Sequence, residues 1–140
     1  KLYSGIPGAK AFPTTLKKLK LEGTFLCWWD MDIIAELPNL EVLILKSSCF
    51  GDEWDPNDRV FTRLKLLLIE DHYDLEHWKA TNVNFPVLER LFIRRCSKLK
   101  EIPIEFADIH SLQLIELENC TRKLAESAER IQQEQEDLGN

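Results

Sequence analysis

A 24-residue period governs this sequence. Copies of one pattern begin at Leu16 (LKKLKLEGT), Leu37 (LPNLEVLILKSSC), Phe61 (FTRLKLLLIEDH), Phe85 (FPVLERLFIRRC) and Ile109 (IHSLQLIELENC). Their first core leucines are Leu16, Leu40, Leu64, Leu88 and Leu112, with no insertion between copies. Two further columns keep step, one through Leu19, Leu43, Leu67, Leu91 and Ile115, the other through Leu21, Leu45, Ile69, Ile93 and Leu117. All of these positions are aliphatic, which composition alone does not explain.

Within each copy the second and third core positions alternate with their neighbours, the spacing of a short strand whose apolar side chains point to one side. One such strand cannot bury that side alone, so successive copies must stack and share a core. A period in this range with the form L-x-x-L-x-L-x-x-(N/C) is the leucine-rich repeat pattern. The expected fold is therefore α/β, a leucine-rich repeat solenoid. A curved parallel sheet lines its concave side, loops and short helices its convex side. Residues 1–11, without an initiator methionine, read as the tail of a preceding repeat, 12–120 as five repeat units, and 121–140 as a C-terminal capping helix.

Between strands the chain must return along the convex side. In SKLKEIPIEFADIHSL, Leu99, Ile102, Phe106 and Ile109 are spaced for a helical or 3-10 turn that Pro103 can open. FLCWWDMDIIAELPNL has a comparable plan, with Asp30 or Asp32 as a cap and at least one of Trp28 and Trp29 in the core. FGDEWDPNDRV and YDLEHWKATNVN are polar and rich in turn formers, so loops are expected there. Trp54 and Trp78 stand one period apart, which predicts a stack along the convex side. In TRKLAESAERIQQEQEDLGN, Leu124, Ala128, Ile131 and Leu138 fall near one helix face, with Gly139 as a stop. That helix is expected to cover the last open core.

The net charge of −6 argues against a nucleic-acid binder. Residues 1–21 carry five lysines and no acid, whereas residues 101–140 carry ten acids against Arg122, Lys123 and Arg130, so the stack is electrically polar along its axis. No P-loop, nucleophile elbow or zinc-protease motif is present, and catalysis has no support. The four cysteines and three histidines lack ligand spacing, so no metal site is expected. Cys96 and Cys120 share a column with Thr24, Ser48 and His72, where small or polar side chains satisfy backbone groups at the bend. Reduced, buried thiols are expected, with a disulfide between coils as the alternative; reduced thiols suit an intracellular compartment. Asn119-Cys120-Thr121 matches a glycosylation sequon, which matters only in a secreted parent.

The outward strand positions form a grid: Lys18, Lys20, Glu22; Val42, Ile44, Lys46; Leu66, Leu68, Glu70; Arg90, Phe92, Arg94; Leu114, Glu116, Glu118. Val42, Ile44, Leu66, Leu68 and Phe92 make an apolar patch bordered by Lys46, Arg90 and Arg94, the composition of a protein interface. Lys18 and Lys20 extend the face toward the first repeat. The candidate partner-binding residues are these ten. The two arginines beside Phe92 offer a weaker site for a phosphate or an acidic side chain.

FPVLERLFIRRCSKLKEIPIEFADIHSLQLIELENC, followed by ESAERIQQEQEDLG, closely resembles the C-terminal end of the intracellular nucleotide-binding leucine-rich repeat immune receptors of plants. The similarity is to the coiled-coil class of the nightshade family, of the late blight resistance homologue type. LPNLEVLILKSSCFGDEWDP and LIEDHYDLEHWKAT also resemble returns of that family. The resemblance implies a parent with a coiled-coil signalling domain, a nucleotide-binding switch and this repeat region. It implies a non-enzymatic module that recognises a pathogen effector or host protein, or contacts the nucleotide-binding domain of its own receptor and holds it inactive. ADP or ATP would bind in a domain absent here, and no cofactor is expected in this chain. Glu101-Ile102-Pro103 lacks the glycine usual in extracellular plant repeats, which favours the cytoplasmic branch. The alternatives are the substrate-adaptor repeats of an F-box ubiquitin ligase and an extracellular ligand-binding ectodomain.

Overall fold

The computed structural model describes residues 6–139, so Lys1 to Gly5 of the expected preceding-repeat tail, and Asn140, lie outside the described residues. The molecule is α/β. Five strands, β1 (Lys18–Glu22), β3 (Val42–Lys46), β6 (Leu66–Glu70), β8 (Arg90–Arg94) and β9 (Leu114–Glu118), form one parallel sheet in the order β1-β3-β6-β8-β9. Every neighbouring pair is registered at an offset of 24 residues, so Leu43 sits between Leu19 and Leu67, and Ile93 between Ile69 and Leu117. A one-residue slip would turn each aliphatic column to the other face of the sheet, so burial itself enforces the register.

Each strand is opened and closed by the same device. The carbonyls of Lys17, Glu41, Lys65 and Glu89 each accept two successive N–H groups from the start of the next strand, as Lys17 does from Glu41 and Val42. Just past each strand stands a residue with positive φ: Gly23 (64°), Ser47 (47°), Asp71 (59°), Arg95 (50°) and Asn119 (53°). This left-handed step bends the chain off the sheet and turns an N–H toward the following coil. Gly23, Ser47, Asp71 and Arg95 donate it to the carbonyls of Lys46, Glu70, Arg94 and Glu118.

The column after the bend supplies the side chains that satisfy the remaining carbonyls. Thr24 Oγ1 donates to the Ser48 carbonyl, Ser48 Oγ to those of Leu21 and Lys46, and the Cys96 and Cys120 thiols to those of Ile69 and Ile93. All four cysteines are free thiols. Burial pushes the Cys96 and Cys49 thiols up to about 12, which keeps them protonated and unreactive.

Opposite the sheet, the returns close the core. The helix α1 (Met31–Ala35) follows a 3-10 turn at Trp28–Asp30, and a second 3-10 turn spans Ile104–Asp108. Asp30 caps this region by accepting from the Cys27 N–H at 2.9 Å. Trp28 is buried and Trp29 is 68% exposed. The returns read as loops carry short strands after all. β2 (Leu26–Cys27) pairs with β4 (Cys49–Phe50), and β5 (Glu53–Trp54) with β7 (His77–Trp78), both in parallel. These two-residue ladders arise because stacking brings equivalent backbone groups of adjacent coils together; local sequence gives no sign of them.

Trp28 stacks on Trp54 at 4.9 Å and Trp54 on Trp78 at 5.5 Å, and Phe106 meets Trp78 edge-on at 5.1 Å. A second column sets Phe61 against Phe85 at 5.0 Å. Asn84, buried between the returns, accepts from the Thr81 N–H and donates to the carbonyls of Asn57 and Arg59.

The terminal helix α2 (Arg122–Asp137) is capped by Thr121 Oγ1, which accepts from the Leu124 N–H at 3.0 Å. Leu124, Ser127 and Ile131 are buried, and Ser127 Oγ accepts from the Ile102 N–H. α2 therefore packs on the Ile104–Asp108 turn. Two expectations are corrected here. Leu138 is 56% exposed, because it lies past the end of the helix and beyond the turn it packs on. The helix also leaves β9 incompletely covered, and Ile115 and Leu117 are only half-buried, whereas Leu91 and Ile93 are fully buried.

Candidate functional site: the outward face of the sheet

Registered strands convert the outward positions into rows that cross the sheet. One row runs Lys18, Val42, Leu66, Arg90, Leu114; the next runs Lys20, Ile44, Leu68, Phe92, Glu116; the third runs Glu22, Lys46, Glu70, Arg94, Glu118. Side chains in one row stand on adjacent strands within contact distance of each other. The structure thus brings Val42, Ile44, Leu66, Leu68 and Phe92 together on three neighbouring strands. All five are half-buried by one another, without the full burial of the aliphatic columns behind them.

The charged border differs from its reading in sequence. The third row alternates in sign, and its members pair with one another. Lys46 lies 3.7 Å from Glu22 and 3.5 Å from Glu70; Arg94 lies 3.8 Å from Glu70, 3.7 Å from Glu116 and 3.5 Å from Glu118. Arg94 also sits 5.7 Å from the centre of the Phe92 ring. Lys46 and Arg94 are therefore engaged within the face, and Arg94 does not form with Arg90 a free pair for an outside anion. Lys18 and Arg90 are exposed with no ion pair among the described residues, while Lys20 lies 3.4 Å from Glu22.

Glu70 is the hub of this row. Its carboxylate is only 10% exposed and takes a 2.6 Å bond from Arg95, whose guanidinium also donates to Asp71 at 2.7 Å. Sequence reasoning passes over Arg95, since a strand would send it inward. The positive φ at Arg95 returns its side chain to the rim beside Asp71, whose carboxyl is held below its ordinary value chiefly by the Arg95 hydrogen bond.

His72, at the same edge, is buried against Trp28 and accepts at Nε2 from the Ser48 N–H (3.2 Å) and the Cys49 N–H (3.4 Å). Burial pushes its imidazole down to about 4, against smaller opposing effects of the Glu70 backbone and Asp71. It is a neutral structural acceptor. Among the described residues no group of histidines, cysteines or acids is arranged to hold a metal, and no helix is long and apolar enough to cross a membrane.

What this face can do chemically is bind. It offers a shape-fixed apolar centre, one free arginine at its margin, and a rim of charges paired with one another. No family model matches the chain. Three late blight resistance protein homologues of Solanum demissum are each 42% identical to it over 99% of its length, and a further homologue from that species is 39% identical over all of it. The chain spans 11% of the length of these curated relatives.

Proposed function

Because the chain is homologous over nearly its whole length to one stretch of the late blight resistance protein homologues of Solanum demissum, we propose that it is the leucine-rich repeat region of a cytoplasmic plant immune receptor. In this reading the stacked coils are part of a solenoid, the outward sheet face is its concave face, and the module recognises and regulates without catalysis. The partner is a protein: a pathogen or host protein, or the nucleotide-binding domain of the same receptor. Differential contact supplies the mechanism, since a face that binds the inactive arrangement better than the active one biases the switch, and a competing ligand releases it.

One observation carries this reading. Leu66, Leu68 and Phe92 stay half-open at the centre of a face whose ion pairs are already made, so an apolar partner surface can dock without stripping charges of their own partners. The test is Leu68→Glu with Phe92→Glu, and separately Arg90→Glu, in the full-length receptor. Normal accumulation with altered autoactivity or altered response to the cognate elicitor is the expected result. Wild-type behaviour on both counts, in both variants, would remove this face from the mechanism.

A further inference from the structure

The last strand keeps every feature that the others use to receive a neighbour. In the sheet, Leu114 N donates to the Glu89 carbonyl and the Glu118 carbonyl accepts from Arg95 N, so residues 114, 116 and 118 turn their backbone groups toward β8. By strand alternation Ile115 and Leu117 turn theirs to the open edge. Asn119 holds the same positive-φ bend as Gly23, Ser47, Asp71 and Arg95, which in those four coils delivers an N–H to a following strand. Between β9 and α2 lies a groove of about 420 Å³, with Leu114 and Ile115 on one wall and Ala128, Glu129, Gln132 and Gln135 on the other.

Charge specifies what fits. Along the third row the signs run negative, positive, negative, positive, negative, and the interior acid Glu70 has cations on both sides: Lys46 on one, Arg94 and Arg95 on the other. At the β9 end Arg94 alone serves both Glu118 of this row and Glu116 of the row beside it, each more than half exposed. The row is one cation short at this edge.

We propose that β9 is a docking edge for a parallel β-strand of a separate protein, bearing basic residues opposite Glu116 and Glu118 and aliphatic residues over Ile115 and Leu117. Main-chain pairing supplies the affinity, and the cations continue the alternating row and supply the selectivity. The rival role for Glu116 and Glu118 is to guard the edge against strand pairing. The site is distinct from the apolar face described above, and neither depends on the other.

The experiment titrates the chain into a dye-labelled, end-capped peptide TKLKLKT and follows fluorescence anisotropy. The expected result is saturable binding, no binding of TELELET, and about a tenfold or greater loss on Glu116→Lys with Glu118→Lys, equivalent to some 1.4 kcal/mol. TELELET should gain binding to that double variant. A peptide N-methylated at the backbone amides of its three lysines should not bind the wild type, since it keeps the charge and loses the donors that face β9. Should the double variant melt early, the milder Glu118→Gln carries the same comparison with a smaller loss. The proposal is overturned if TKLKLKT fails to saturate, if the N-methylated peptide binds equally well, or if sedimentation shows the chain associating head to tail through β1 on this edge.

Discussion

At the scale of single residues, function in this chain is divided between side chains and backbone. The column Gly23, Ser47, Asp71, Arg95 and Asn119 shares no side-chain chemistry, only a backbone conformation. It was therefore illegible in sequence, where neighbouring columns announce themselves by being aliphatic. Arg95 escaped notice for the same reason, and Arg94 reads as free in sequence because its three acidic neighbours, Glu70, Glu116 and Glu118, are distant in sequence. His72 gives a measurable consequence. A group whose folded value is depressed to about 4, against an ordinary value of 6.5, favours the fold in its neutral form. Its contribution is complete above pH 6.5 and is lost as pH falls from 6.5 through 4, on the order of 3 kcal/mol in all. Denaturant melts across that range should show stability falling, and His72→Gln, which keeps an acceptor for the Ser48 and Cys49 N–H groups without titrating, should flatten the decline. An equally steep decline in His72→Gln would place the acid sensitivity elsewhere.

At the scale of elements, what the period specifies is pairing. The five strands and their offset were legible because two aliphatic columns admit one register, and the Trp54 to Trp78 stack followed from the same period. The short ladders β2–β4 and β5–β7 were not, since strands of two residues have no periodicity of their own and exist only through the neighbouring coil. The terminal helix was legible as a helix but not in its placement: its apolar face reads the same whether it lies on the sheet or on the Ile104–Asp108 turn. Leu67 tests the element that holds the rest. It is fully buried on β6, the middle strand of the sheet, between Leu43 and Leu91, so Leu67→Ala should cost roughly 2–5 kcal/mol through lost burial and an unfilled cavity. Equilibrium denaturation measures it, and a loss below 1 kcal/mol would show that the centre collapses around the gap.

At the scale of the whole molecule, each strand of the sheet pairs only with its neighbours, so stability is distributed along one axis. The inner strands β3, β6 and β8 have fully buried aliphatic columns, whereas Leu19 and Leu21 on β1 and Ile115 and Leu117 on β9 are half-buried. Native-state hydrogen exchange should find the amides of β6 slowest and those facing outward from β1 and β9 fastest. Uniform protection across all five strands would mean that the stack opens as one unit. The apolar outward face was legible as a set of residues, because fixed register makes a surface out of distant positions, yet its charged rim required distances. The aromatic column adds a property that needs no label. Trp28, Trp54 and Trp78 lie one above another along the axis, close enough for their electronic transitions to couple. The absorbance and circular dichroism of these indoles are thus a built-in optical gauge, whose exciton signal fades as soon as the third coil peels from the second, before the remaining coils unravel.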